Sequence, residues 1–155
     1  RAVRVGRLAV ERSGRWLRVG SAELDAVSTR AWSVPGVLEL PEIGARLTAR
    51  VFARPADYAV PRSRDCAVFD ADAVPTRLTV RPRRSGDVFS PFGSPALRRL
   101  KSFLIDAGIP RWQRPRTPLV EAGGEILWVA GVRRGAVAPV GAGTARILEM
   151  TLESL

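Results

Sequence analysis

One stretch of this sequence keeps a helical period, and everything else must be built around it. From Pro95 to Ala107, the residues Leu97, Leu100, Phe103, Leu104 and Ala107 fall on one stripe at about 100° per residue. Arg98, Arg99, Lys101, Ser102 and Asp106 fall elsewhere, and Ile105 breaks the pattern. Ser94 is a good N-cap, Pro95 suits the first helical position, and Gly108 suits a left-handed C-terminal cap. The other apolar residues come in short runs, mostly alternating and punctuated by Gly and Pro. The expected class is therefore α+β, mostly β, with a single amphipathic helix laid by its apolar stripe on a sheet.

The strands follow from the two-residue period. Leu8–Glu11 and Arg15–Val19 read as a hairpin across Ser13-Gly14. Residues 21–36 lack clear periodicity and end at a Pro35-Gly36 turn. Val37–Leu40 and Arg46–Arg54 read as strands, the second with Leu47, Ala49, Val51 and Ala53 on one face. Arg54–Arg64, with two prolines, reads as an exposed loop. Cys66–Phe69 and Leu78–Val80 flank Asp70–Thr76. Leu119–Glu121 and Ile126–Ala130 form a hairpin across Ala122-Gly123-Gly124. Gly131–Gly143 is a loop carrying Arg133 and Arg134, and Thr144–Leu152 is the closing strand. The composition turns sharply basic near residue 75, so a division into residues 1–76 and 77–155 is expected.

The charge is local. Of 25 basic and 15 acidic side chains, ten basic and two acidic ones lie between Arg77 and Arg116, a surplus of eight. The remainder holds 15 bases against 13 acids. A GC-rich genome explains arginine in place of lysine but not this crowding. A surplus of that size makes a surface for a polyanion, because each guanidinium fork matches two phosphate oxygens. An ordinary solvated face with internal salt bridges is the competing reading, and two acids cannot neutralise ten bases. Asp87 is expected to pair with Arg81 or Arg83 and fix the Ser85-Gly86-Asp87 turn.

Much chemistry is excluded. There is no histidine and one cysteine, Cys66, so an internal disulfide, a Cys/His zinc site and a histidine-based triad are all out. A lone cysteine fits a reducing cytoplasm. No apolar run approaches the ~20 residues of a membrane span. No initiator Met is present, and the sequence reads as a piece of something longer. Asp70-x-Asp72 is a turn beside Pro75 before it is a cation site, since no third ligand is near. Ser94 has no base beside it. Trp128, inside an apolar run, belongs to a core. Trp112, at a basic proline corner, is either core or a platform for a terminal base. No catalytic residue and no metal ligand is expected.

In these same residues the chain resembles the C-terminal part of the bacterial tRNA(Ile)-lysidine synthetases. An Arg-rich strand leads into a Gly-Asp turn, Arg81-Pro-Arg-Arg-Ser-Gly-Asp87. Phe89-Ser-Pro-Phe-Gly93 follows, then a basic helix that ends in Ile-Asp-Ala-Gly-Ile-Pro-Arg-Trp at 105–112. Pro118–Val120 and Trp128–Gly131 close the match. Residues 37–76 resemble the segment ahead of it more weakly, and residues 1–36 resemble the end of the family's middle domain. The helix start, Gly93-Ser-Pro-Ala, is shorter here than in the family. The family's Ser-Gly-Gly-x-Asp-Ser phosphate loop is not in this sequence.

The resemblance implies a β-sandwich-like domain akin to one in the phenylalanyl-tRNA synthetase β chain. It also implies a parent ligase that uses ATP, with Mg, to attach lysine to the wobble cytidine of a CAU-anticodon isoleucine tRNA. Catalysis and cofactors would then lie in a domain absent from this chain, with this part gripping the acceptor stem. Arg83, Arg84, Arg98, Arg99, Lys101, Arg111 and Arg114 are the expected phosphate contacts, with Arg133 and Arg134 behind them, and Gly86 and Asp87 shape the turn. Expected partners are the tRNA(Ile) acceptor stem and the chain's own catalytic domain, with a homodimer open and no membrane. The alternative is an interaction module whose basic face docks on the catalytic domain or another subunit.

Overall fold

The computed structural model describes residues 2–21, 23–94 and 96–155. Its described residues form fourteen strands and one short α-helix. Three antiparallel strands come first: β1 (Ala2–Val5), β2 (Leu8–Ser13) and β3 (Trp16–Ser21), with Ser13 paired to Trp16 across the expected turn. Then follow β4 (Arg30–Ser33), β5 (Gly36–Leu40), β6 (Ala45–Ala53), β7 (Cys66–Asp70) and β8 (Arg77–Arg81). The basic segment contributes β9 (Val88–Phe89), β10 (Arg98–Arg99) and α1 (Leu100–Asp106). The chain ends with β11 (Leu119–Ala122), β12 (Glu125–Val129), β13 (Arg133–Arg134) and β14 (Arg146–Ser154).

Two sheets stack face to face. One has the order β13-β12-β11-β8-β4 and the other β5-β6-β14-β7. Between them lie Trp32, Leu78, Val80, Val120, Leu127 and Trp128 from the first sheet, against Leu40, Leu47, Phe69, Leu148 and Met150 from the second. Residue 76 lies between strands that share this core, because β4 pairs with β8. Alternation then supplies a second layer. Leu119 and Val129, one residue away from Val120 and Trp128, point to the opposite side and pack on Phe89, Leu100, Phe103 and Leu104. A bulge at the β11–β12 pairing skips Leu127, which turns Leu127 and Trp128 to the same side. The molecule is thus a β-sandwich with α1 and the β9–β10 ribbon laid on its outer face.

The helix departs from the expectation. It starts at Leu100, five residues late, because Arg98 and Arg99 pair as a strand with Phe89 and Val88, and Leu100 N–H donates to Asp87 O at 2.9 Å. Backbone groups committed to a ladder cannot also open a helix. Ser94 is therefore no cap of α1. Its Oγ accepts from Ala96 N at 3.4 Å, and the cap position is taken by Arg99 with no side-chain bond. Pro95 lies outside the described residues. The apolar stripe shrinks to Leu100, Phe103 and Leu104, while Leu97 is 66% exposed and Ile105 49%. The C-terminal end matches the sequence. Gly108 has φ +75°, and Gly108 and Ile109 N–H groups return to Ile105 and Leu104 carbonyls.

The β1–β3 sheet sits against the corner that follows the helix. Trp16 Nε1 donates to Gly108 O at 3.1 Å, Arg111 N donates to Ser13 Oγ at 3.0 Å, and the Arg18 guanidinium lies 5.9 Å from the Trp112 ring centre. Trp112 is therefore half-covered by β3. Trp128 is buried in the sandwich.

Candidate nucleic-acid interface

Residues 82–87 turn sharply after β8, and one arginine holds the turn. Arg81 is 3% exposed. Its guanidinium donates to Asp87 Oδ1 at 2.8 Å and Oδ2 at 2.9 Å, and its Nε donates to Glu121 Oε2 at 2.8 Å. Burial would raise the Asp87 carboxyl. The Arg81 bonds and the Arg84 N–H, which donates at 2.6 Å, outweigh burial and hold it below the ordinary carboxylate value. Gly86, at φ +88°, supplies the left-handed residue that lets Asp87 fold back. Gly86 and Asp87 thus sit in this turn, with Arg81 as the partner of the carboxylate.

The rim of that turn faces β10 and α1 across a groove of about 940 Å³. Arg83 and Arg84 line one side, Arg99 and Lys101 the other, with Ser102, Ile105 and Pro115 between them. Among the described residues the only acid in the lining is Asp87, already bound to Arg81, and none of the four cations makes an ion pair. Four guanidinium or ammonium groups thus face one concavity without a free counter-charge.

The other three expected contacts lie apart. Arg98 and Arg99 leave a strand in opposite directions, so Arg98 reaches the far side of α1, where it forms an ion pair with Asp106 and lies over Phe103. Arg114 donates from Nε to Ile109 O at 3.0 Å and props the corner. Burial, with the nearby charges of Arg83 and Arg111 behind it, pushes its pKa down. Arg111 is exposed, its guanidinium 3.5 Å from Arg12 O. The corner therefore extends the positive field of the groove, while part of its arginine set secures the 108–116 segment. Arg134 is half-buried and does not line the groove. Its guanidinium donates to the carbonyls of Val68, Val137 and Gly135 and packs on the rings of Phe69 and Phe92.

Sequence reasoning missed Ile105 and Ser102 as lining residues, because it placed 98 and 99 on a helix. The expected Asp-x-Asp turn is occupied internally: Asp70 Oδ1 accepts from Asp72 N at 3.0 Å, and Asp72 bridges Arg146. Among the described residues no cluster of three metal-ligating side chains occurs, and no helix is long and apolar enough to cross a membrane.

Fold and site together define a β-sandwich domain that presents an unneutralised cationic groove. Comparison with known proteins makes this specific. The family model described as the TilS substrate C-terminal domain matches residues 78–148. The crystal structure of a TilS C-terminal domain superposes with a TM-score of 0.70 at 30% identity, covering 83% of this chain and 98% of that one. The chain belongs to the tRNA(Ile)-lysidine synthase family, as its C-terminal region. The tRNA(Ile)-lysidine synthase of Symbiobacterium thermophilum is 34% identical over 151 residues, 97% of this chain and 31% of the relative. That of Dehalococcoides mccartyi is 43% identical over 89 residues, 57% of this chain and 19% of the relative. The chain thus spans under a third of the length of these relatives.

Proposed function

We propose that this chain is the tRNA-gripping part of a lysidine-forming ligase and that its groove holds the acceptor stem of an isoleucine tRNA. The observation that carries it is the set Arg83, Arg84, Arg99 and Lys101 around one groove with no free acid. A-form RNA is held through phosphates and 2′-hydroxyls rather than base edges, which calls for spaced cations on a rigid frame. The relatives' name, tRNA(Ile)-lysidine synthase, supplies lysidine in an isoleucine tRNA as the product, and the reaction proposed for the whole ligase is attachment of lysine to the wobble cytidine with ATP. That chemistry, with its ATP and magnesium, belongs to residues outside this chain, in a protein working in the cytoplasm where its tRNA is. Gripping the stem would let the ligase separate two tRNAs that share an anticodon.

The test is the salt dependence of binding. With four phosphates contacted, the slope of log K for an isoleucine tRNA against log[salt] is expected to be about −3.6, at about −0.9 per contact. Binding that ignores salt refutes the proposal.

A second reading is favoured by a different surface. Val3, Val5, Leu8, Val10, Leu17 and Val19 are all exposed and share one face of the β1–β3 sheet, while Ala9 and Ser13 on the other face are buried. An apolar patch of that kind marks a protein contact. We propose that this face, rather than the basic one, docks on the remainder of the ligase. A Val10→Lys/Val19→Lys variant should then abolish association with the separated remainder and leave tRNA binding by this chain intact.

A further inference from the structure

The loop between β6 and β7, residues 54–65, has no regular structure, is exposed over most of its length, and at residues 59–64 lines a cavity together with the edge of the sandwich. Loops of that length in compact domains generally have a use of their own. The cavity measures about 590 Å³, a size that suits a small ligand. Its walls are apolar, with Val60, Val68, Phe92, Trp128 and Val132 among them. Its rim carries Arg62 and Arg64 from the loop and Arg133 and Arg134 from β13. No carboxylate lines it, and among the described residues none of these four arginines makes an ion pair.

Arg134 is the telling residue. Its guanidinium is held by three carbonyls and lies 4.4 Å and 4.6 Å from the ring centres of Phe69 and Phe92. Burial brings its pKa down to about 10, which leaves it cationic at neutral pH without an anion of its own. A half-buried cation over aromatic rings, beside three more at a mouth, calls for an anion with a flat apolar body.

The cavity also continues the cationic surface of the groove. Arg99 points into the groove and Arg98 into the depression beyond α1, and that depression shares Arg64 and Arg133 with the cavity. The acid in this path, Asp106, is engaged by Arg98.

We propose that this cavity binds a nucleotide, its base between the apolar walls and its phosphate at Arg62, Arg64 and Arg133. The assignment of the strand as its source rests on the RNA reading of the groove; the site itself does not. An unpaired nucleotide of a bound RNA and a free nucleotide share this chemistry.

Cys66, the sole cysteine, lines the cavity and gives a local reporter. Burial pushes its thiol above the ordinary value, so alkylation is followed at alkaline pH. Adenosine 5′-monophosphate at about ten times its dissociation constant should slow Cys66 alkylation about tenfold, the expected occupancy effect. Adenosine or inorganic phosphate at the same concentration should slow it less than about twofold. Arg62→Glu/Arg64→Glu should remove the protection, and so should Val60→Trp, which fills the mouth without changing charge. Arg99→Glu/Lys101→Glu, which disables the groove, should leave it unchanged. A single-stranded tetranucleotide that protects at lower concentration than the mononucleotide identifies the source as an RNA strand, and equal protection identifies it as free nucleotide. No protection by the mononucleotide, or equal protection by phosphate alone, overturns the proposal. Undiminished tRNA binding by the Arg99→Glu/Lys101→Glu variant, with protection by the mononucleotide retained, overturns the groove reading instead.

Discussion

At the base of the groove Arg81 is almost wholly buried and gives its guanidinium to Asp87 and Glu121, while at the rim, two and three residues later, Arg83 and Arg84 face open space. The same side chain does two jobs because the backbone presents it to two environments. Arg81 is still in register on β8, opposite Leu119, so it points into the layer between sheet and helix and must be paired there. Arg83 and Arg84 come after the strand has ended, where the turn carries them to the surface. Frame and contact surface are thus separable in principle, since one is held by ion pairs and the other owes its potential to having none.

The largest effect should come from the frame. Arg81→Ala leaves two half-buried carboxylates without their cation and should cost about 3–5 kcal/mol in a denaturant titration. Affinity for tRNA should fall with it, because the turn loses its tie. A stable Arg81→Ala protein would mean that the turn is held by something else. The rim should behave oppositely. Arg99→Glu/Lys101→Glu should lower tRNA affinity about a hundredfold and reduce the size of the salt slope by about two, with the melting temperature nearly unchanged. A variant that melts early would show that the rim residues belong to the frame.

The frame was easier to read from the sequence than the surface was. Short apolar or alternating runs bounded by Gly and Pro located β2, β3, β5, β6, β7, β8, β11, β12 and β14 to within a few residues, although β11 and β12 are buried on both faces and the apolar face of β2 and β3 is exposed. β4 escaped, since it buries a single residue, Trp32, and the buried Val27 and Val34 on either side of it follow no strand period. β9 and β10 are two residues long, too short for any period to register, and β10 carries Arg-Arg in a region rich in helix formers. Tertiary pairing with β9 overrode propensity there. The same error hid the geometry of the site. On a helix Arg98 and Arg99 are 100° apart, and on a strand they oppose one another, so the sequence assigned both to one surface and the fold divides them. The reading of Arg54–Arg64 as an exposed loop holds, and Arg62 and Arg64 gave no further signal because nothing in the sequence places that loop beside Arg133 and Arg134.

Acid should separate frame from rim in a third way. The Glu42 carboxyl, hydrogen-bonded by the Arg30 guanidinium and by Ser28 N at 2.9 Å, is pulled down to about 2, and the Asp87 carboxyl is lowered as well. A carboxyl whose folded pKa is depressed contributes stability that is fully present above its unfolded value and lost as pH falls through the folded one. Melting temperature should therefore hold from neutral pH down to about 4.5 and drop as pH approaches about 2. The rim carries only Arg and Lys, so its charge stays constant over that window. A melting temperature that falls between pH 7 and 5 would place the stabilising titration in some other group.

The smallest effect isolates the face itself. Arg98→Ala removes an exposed ion pair with Asp106, 35% and 64% exposed at the two side chains, and a contact over Phe103. Such a pair is worth about 1 kcal/mol or less, so stability should fall slightly. Affinity for tRNA should change by no more than about threefold, because this arginine is already neutralised and stands outside the groove. Arg99→Ala, one residue along the same strand, should do the reverse, with stability kept and affinity reduced about tenfold. Any disturbance of β10 as a whole would strike both variants alike, so only the side on which each guanidinium emerges can set them apart. Equal losses of affinity at the two positions would place the RNA across the strand instead of in the groove.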